Sequence, residues 1–306
     1  MGNNNLYVER PEYTGLVINY RNKQLIADDV MPRRQVGSEI FKWIEFPKAD
    51  RFSIPDTKIG RTSVPNQVEF GGTEQESKTQ DYGLESFVPN KEIEQFSETY
   101  DPLGRASELT MELVALGREK RVADIVFNAN TYAAANKVTL AGVDQWSDYT
   151  NSDPVDIMLE KLDALLVRPN IAVLGRAVWT KLRKHPKVVS KIFGSSSTTG
   201  LVTIERLAEA LEMDRIIIGT PWLNTAKKGQ TATFSEVWGK HCAFLYQSNT
   251  SEMTFGFTAE YKTRRVSTFE DPRAGIDGST IVRVTEALKE VTPASDLGFF
   301  FQNAVV

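Results

Sequence analysis

Period-two alternation marks the first interpretable part of the chain. In FKWIEF, residues 41–46, Phe41 and Trp43 fall on one side and Lys42, Ile44 and Phe46 on the other. Apolar groups on both sides predict a strand covered on both faces. YGLESFV, residues 82–88, reads as its partner. Between them lie Pro47, Pro55, Gly60, Pro65, Gly71 and Gly72, then the polar run TEQESKTQD. Proline removes a strand donor and glycine punctuates turns, so the stretch predicts a long two-stranded flap with a loose tip. A connection of that length is uncommon inside a compact domain and usually has a use.

A period of 3.6 takes over next. Leu103, Ala106, Leu109, Leu113, Leu116, Ala123 and Val126 recur at steps of three and four, with a gap around Lys120. Asp101 is a good N-cap and Pro102 suits the first helical position. The pattern predicts one long amphipathic helix over 102–132, with those leucines facing the core. Asp153-Pro154 repeats the start signal and opens a second helix that must end before Pro169. Strands and helices then alternate through NIAVLG (170–175), RAVWTKLRKHP, TIERLAEALEM (203–213), RIIIG (215–219) and KHCAFLYQ (240–247). That rhythm predicts an α/β unit with helices packed on a sheet. Long strands follow in EMTFGFTAEYKTRRVSTFED and STIVRVTEA, and the apolar tail LGFFFQNAVV is expected to be tied into a sheet. The first forty residues hold only short apolar pieces, too small for a core of their own. They predict an extended arm lying on something else, with a small N-terminal helix packed in the ordinary way as the alternative.

Composition narrows the function classes. With 306 residues, 25% charged and 41% hydrophobic, the chain suits a folded protein. Its longest apolar runs fall far short of the roughly 20 residues that span a bilayer. The start, MGNNNLYVERPEY, has neither the basic nor the apolar region of a secretory signal. The net charge of −4, with both signs interspersed, gives no basic stripe for gripping a phosphate backbone. A single cysteine, Cys242, excludes an intrachain disulfide framework.

Candidate chemistry is sparse. Two histidines and one cysteine cannot make a four-ligand Cys/His zinc site, and the neighbours His241 and Cys242 would point to opposite faces of a strand. His185, before Pro186, reads as a helix end at the surface. GSSSTTG (194–200) lacks the strand-to-helix setting of a nucleophile elbow, and no phosphate-cradling glycine motif occurs. No catalytic, cofactor-binding or metal residue is assigned, and no cofactor is expected. Arg33-Arg34 and Arg264-Arg265 are too short to form a nucleic-acid patch and read as salt-bridge partners at a surface or subunit contact.

The order of segments, together with QWSDYTNSDPVD, LGRAVWTKLRKHPKVVSKI, TIERLAEALEMDRIIIG, NTAKKG and VWGKHCAFLY, resembles the major capsid proteins of tailed bacteriophages with the HK97-type fold. The resemblance covers the chain from about residue 10 onward and rests on the combination of these segments. It implies an α+β fold with an N-terminal arm at 1–40 and an extended two-stranded E-loop at 41–92. A P domain would take 93–155, with its spine helix at 102–132, and the long strands at 249–290. An α/β-like A domain would take 156–248, with the tail 291–306 packed on it. The implied function is self-assembly into pentamers and hexamers, and then an icosahedral virion shell, in the bacterial cytoplasm. The partners implied are further copies of the chain, a portal and packaged double-stranded DNA in passive contact, with no membrane. Whether a decoration protein binds outside stays open.

Two departures from relatives matter. Many relatives begin with a helical scaffolding segment; the chain has no room for one, so a separate scaffolding protein is expected, or the sequence is already processed. Some relatives crosslink an E-loop lysine to a neighbour's asparagine, and Lys58 and Lys78 qualify by location only. Candidate contacts between subunits are Arg33, Arg34, Phe52, Lys58, Arg61, Lys78, Arg264 and Arg265. Three other readings stay open: a nanocompartment shell of the same fold, an α/β enzyme with residues 41–90 as a lid, and a tail, tube or decoration protein.

Overall fold

The computed structural model describes residues 7–20, 22–45, 52–69, 71–96, 100–194, 199–248 and 253–306. Its centre is a long hairpin. Strands Phe257–Asp271 and Ser279–Val291 pair antiparallel along nearly their whole length. Gly275 and Gly278, at φ +85° and +77°, turn the chain between them in the left-handed region that glycine tolerates best. Gln80–Pro89 forms one edge of this first sheet, against Ser279–Val291. Val8–Glu9 and Arg33–Gln35 pair with the other side of the hairpin.

That pairing corrects the expected flap. YGLESFV does not pair with FKWIEF. Ile40–Glu45 pairs instead with Thr73–Lys78, from the run read as a polar connection. Only one face of this ribbon is covered. Phe41 and Trp43 pack with Val36, Phe257, Ala259 and Val291, while Ile40, Lys42 and Ile44 are exposed. Polar residues suit the second strand because one of its faces meets water, and Lys42 bridges across to Glu74. Phe46 lies outside the described residues.

The long helix runs Pro102–Val126, about 38 Å at 1.5 Å per residue. The Leu103 N–H donates to Asp101 Oδ1 (3.0 Å), so the predicted cap forms. The far end falls six residues short of expectation, because Asn128 opens a separate 3₁₀ turn by accepting from the Asn130 N–H. The expected stripe is buried at Ala123 and Val126, and Leu103 and Ala106 pack beside the sheet, but its middle is not on the buried face. Leu109 and Leu113 are 53% and 59% exposed, whereas Ser107, Met111, Val114, Arg118 and Val122 are buried. Met111 and Val114 meet Val266, Val282 and Val284 of the sheet. Further along, the core accepts charged side chains that find partners, so the leucine pattern misplaced the buried side at Leu109 and Leu113.

The N-terminal stretch is not an extended arm over residues 7–36. Helix Pro11–Asn19 and the short helix Ala27–Val30 pack on the long helix and the hairpin, burying Val17, Ile26, Val30 and Met31. Each piece is too small for its own core but completes a core supplied by others.

The second sheet has the order Lys137–Thr139, Gly298–Gln302, Cys242–Leu245, Ile171–Gly175, Arg215–Gly219. The apolar tail enters it near the middle, with Phe300 and Phe301 fully buried. One face carries the helices Pro154–Asp163, Arg176–Leu182, Pro186–Phe193 and Ile204–Ala210. The other face packs on Val122, Ala123 and Val126 of the long helix and on the 26–31 segment. Gly175 and Gly219 end two parallel strands where the 238–239 loop crosses. A Cβ on Gly175 would lie 1.9 Å from Gly239 O, and one on Gly219 would lie 2.1 Å from Trp238 Cγ. The two glycines therefore seat Trp238 against the sheet.

Candidate functional site: internal joint and exposed surfaces

The charged residues divide into an internal set and an exposed set. Glu119 leads the first. Its carboxylate is fully buried and accepts from the Ile26 N–H (3.0 Å), the Ala27 N–H (2.8 Å) and the Trp238 Nε1–H (2.6 Å). One side chain on the long helix thus joins the N-terminal segment to the loop that caps the second sheet. Burial pushes its carboxyl upward in pKa, opposed by those three donors and by Arg118.

Arg118, one residue earlier, donates to Asp28 Oδ1 (2.7 Å), Met31 O (2.9 Å) and Thr258 Oγ1 (3.0 Å). Arg33 donates to Asp28 Oδ1 (2.9 Å), Glu260 Oε1 (2.9 Å) and Glu286 Oε2 (3.0 Å), and Arg264 lies 3.5 Å from the same Glu286 oxygen. Burial alone would raise the Asp28 carboxyl, but Arg118 and Arg33 outweigh it and hold it below the ordinary range. A cleft of about 760 Å³ opens beside the network, lined in part by Tyr20, Lys23, Leu25 and Ala115. Opposite charges alternate along it, and its arginines lie within reach of carboxylates, which is the chemistry of a rigid joint.

Arg33 and Arg264, expected at a surface or subunit contact, are therefore internal ion-pair residues. Their neighbours differ. Arg34 donates to Ser248 O (2.6 Å) and lies over the Phe257 ring, while Arg265 reaches Glu9 (3.4 Å) at the surface. Phe52, Lys58 and Arg61 are exposed on the flap, and Lys78 is exposed beside Glu39 (3.1 Å). Sequence reasoning missed the rest of the exposed apolar set. Ile54, Ile59, Val64 and Val68 lie open on the flap, and Trp222 and Phe234 on the small hairpin Trp222–Asn224/Phe234–Glu236. The stretch quoted as prolines, glycines and charge already held those four residues at irregular spacing.

The histidines and cysteine have structural partners. His185 starts helix Pro186–Phe193 instead of ending one, and it is buried, not at the surface. Its Nδ1 accepts from the Lys187 N–H (3.2 Å), which leaves the proton on Nε2, facing Ser152 Oγ at 3.1 Å. The Ser152 hydroxyl donates to Asp148 O (2.5 Å), so it is not a nucleophile aimed at a base. Burial lowers the His185 pKa and pushes the Cys242 thiol well above its usual range. Among the described residues, no group of three or more His, Cys, Asp or Glu side chains is arranged to hold a metal ion.

Comparison with known proteins interprets this division. Residues 122–274 match the family described as Phage major capsid protein E. The major capsid protein of Pseudomonas phage JBD67 is 44% identical over 299 residues, covering 96% of both chains. The chain belongs to the HK97-type family of phage major capsid proteins. The major capsid protein of Burkholderia phage BcepMu is 27% identical across 97% of both chains. A phage-related protein of Bordetella bronchiseptica shares the fold at TM-score 0.77 and 22% identity, covering 97% of this chain and 98% of its own. This capsid subunit is a structural component of a phage head, not an enzyme. Among its described residues, no helix is long and apolar enough to cross a membrane.

Proposed function

We propose that this capsid subunit closes into pentamers and hexamers, and then into an icosahedral shell around double-stranded DNA, by laying its flap on a neighbouring copy. The observation that carries this is the contrast between the two ends of the flap. The root is fixed by Phe41 and Trp43 on the subunit's own core, whereas Phe52, Ile54, Ile59, Val64 and Val68 face solvent. Apolar side chains on an anchored projection gain most when a second molecule covers them. In this reading the flap is the E-loop, bounded by Ile40 and Lys78, and Gln80–Pro89 belongs to the P-domain sheet. Pro102–Val126 is the spine helix, and the second sheet with its helices and tail is the A domain. Phe52, Lys58, Arg61 and Lys78 remain the contact candidates. A separate scaffolding protein, a portal and assembly in the host cytoplasm complete the proposal.

Replacing residues 52–69 by a short Gly-Ser turn tests it. The unassembled subunit should keep its unfolding transition, because those residues bury almost nothing in it, while electron microscopy of the protein made with its scaffold should find no closed shells. Unfolding of the subunit, or shells as abundant as those of the unaltered chain, would overturn the assignment.

A further inference from the structure

Residues 176–193 carry six cations, Arg176, Lys181, Arg183, Lys184, Lys187 and Lys191, and no carboxylate, in a chain of net charge −4. They occupy two consecutive helices and, for Arg183 and Lys184, the turn between them, on the side of the second sheet away from the long helix. Lys191 reaches Asp153 (2.7 Å) and Asp156 (2.6 Å), and Lys187 donates to Asn151 O (3.1 Å). Among the described residues, no carboxylate lies within ion-pair distance of Arg176, Lys181, Arg183 or Lys184. The neighbouring helices on this side carry the exposed Glu160, Glu205 and Glu209, but none of these pairs with the four cations. Local neutralisation is therefore incomplete on the surface formed by residues 176–184.

The opposite charge lies on the other half of the molecule. Residues 69–96 hold seven carboxylates against two lysines. Glu74 and Glu76 stand on the flap root, Asp81 on the edge strand Gln80–Pro89, and Glu94 on helix Asn90–Phe96, all exposed. Lys42 serves both Glu74 and Glu76, so that part too has more carboxylates than cations. The two surfaces belong to different sheets, and no ion pair joins them among the described residues.

We propose that the basic face of helices Arg176–Leu182 and Pro186–Phe193 docks on the acidic flap root and edge strand of a second copy of this chain. The proposal rests on the ring assembly proposed above and names the surfaces that meet in it. Two different patches of opposite sign form a heterologous contact, the kind that propagates head to tail and closes a ring. Charge complementarity steers the encounter and rejects the wrong faces, since basic meets basic or acidic meets acidic only at a cost.

Two charge-reversed chains supply the test. One carries Arg176→Glu, Lys181→Glu and Lys184→Glu; the other carries Glu74→Lys, Glu76→Lys and Asp81→Lys. Five of the sites are exposed and Lys181 is half-buried, so circular dichroism and unfolding should stay close to those of the unaltered chain. Each variant alone should need about tenfold more protein to associate than the unaltered chain. Mixed one to one they should associate into oligomers in which the two chains alternate, seen in sedimentation velocity and weakened as salt shortens the Debye length from about 10 Å at 0.1 M to about 3 Å at 1 M. The chain carrying all six changes should associate like the unaltered one. Failure of the mixture to pair overturns the proposal even if shells form, and pairing supports it even if closed shells do not. If basic-face reversal leaves association intact but lowers binding to a double-stranded DNA fragment, that face serves nucleic acid instead, and the proposal falls.

Discussion

Removing the Glu119 carboxylate should cost more stability than any single exposed charge. Glu119→Ala strands three buried donors at once: two backbone N–H groups at Ile26 and Ala27 and the Trp238 indole N–H. An unsatisfied buried donor costs about 1–3 kcal/mol, so three that relax partly toward new partners should cost about 3–5 kcal/mol. For 306 residues at about 2.1 cal/mol/K each, a loss of 4 kcal/mol lowers Tm by about 6 °C. Glu119→Gln keeps the volume but turns an amide N–H₂ toward at least one donor, and should fall between the two. The Trp238 arm separates this from general core damage. Trp238→Phe removes one donor, and a cycle with Glu119→Gln should show a coupling of about 1.5–3 kcal/mol, as for a hydrogen bond to a charged group. The assay is denaturant unfolding of the unassembled subunit, followed by circular dichroism. A Glu119→Ala cost under about 1 kcal/mol, or a coupling indistinguishable from zero, would refute the joint.

Two further expectations follow from the same structure. His185 is neutral in the fold and burial lowers its pKa, so the unfolded chain takes up its proton first as pH falls. Its stabilising contribution is therefore complete above the unfolded value near 6.5 and is lost as pH falls from there through the folded value. His185→Asn should flatten the dependence of Tm on pH between about 7 and 5, and an unchanged slope would count against this reading. On the long helix, Leu109→Ser and Leu113→Ser should each change subunit stability by less than about 0.5 kcal/mol, whereas Met111→Ala should cost about 2–4 kcal/mol. The reverse order would restore the leucine stripe as the buried face.

Backbone signals were the most legible part of the sequence. Asp101-Pro102 and Asp153-Pro154 both start helices as expected, because a cap and a fixed φ act within two or three residues. The strands RIIIG and KHCAFLYQ and the two long strands were equally local readings. What failed required knowledge of the partner. The buried side of the long helix was decided by valines more than 150 positions away and by Asp28 and Met31 receiving Arg118. The pairing of Ile40–Glu45 with TEQESK was hidden because a ribbon wet on one face needs few apolar residues. Arg33 and Arg264 looked like surface pairs because the carboxylates that hold them are remote in sequence, Glu260 and Glu286 lying 227 and 253 positions from Arg33 and Glu286 meeting Arg264 from the facing strand. The family resemblance supplied what no short-range pattern could, namely the proposal that the flap reaches for another molecule.

The internal network and the flap belong together energetically. Phe52, Ile54, Ile59, Val64 and Val68 are 49–95% exposed, and full burial of each such side chain contributes about 1.5–3 kcal/mol. Covering what is exposed on one flap therefore gains on the order of 7 kcal/mol. Ordering five side chains opposes this by about 0.5–1.5 kcal/mol each. The surplus of a single flap contact is then a few kcal/mol, weak enough for a misplaced subunit to leave before a ring closes. Such a margin survives only if the flap is aimed correctly beforehand, because ordering its root at the moment of contact would consume the surplus. Phe41 and Trp43 hold that root on Phe257 and Val291, and the hairpin carrying these is tied to the long helix through Thr258 and Arg118. On the proposed assembly, the buried charges act indirectly: they keep the platform rigid, and rigidity leaves a small apolar gain available to the contact between subunits.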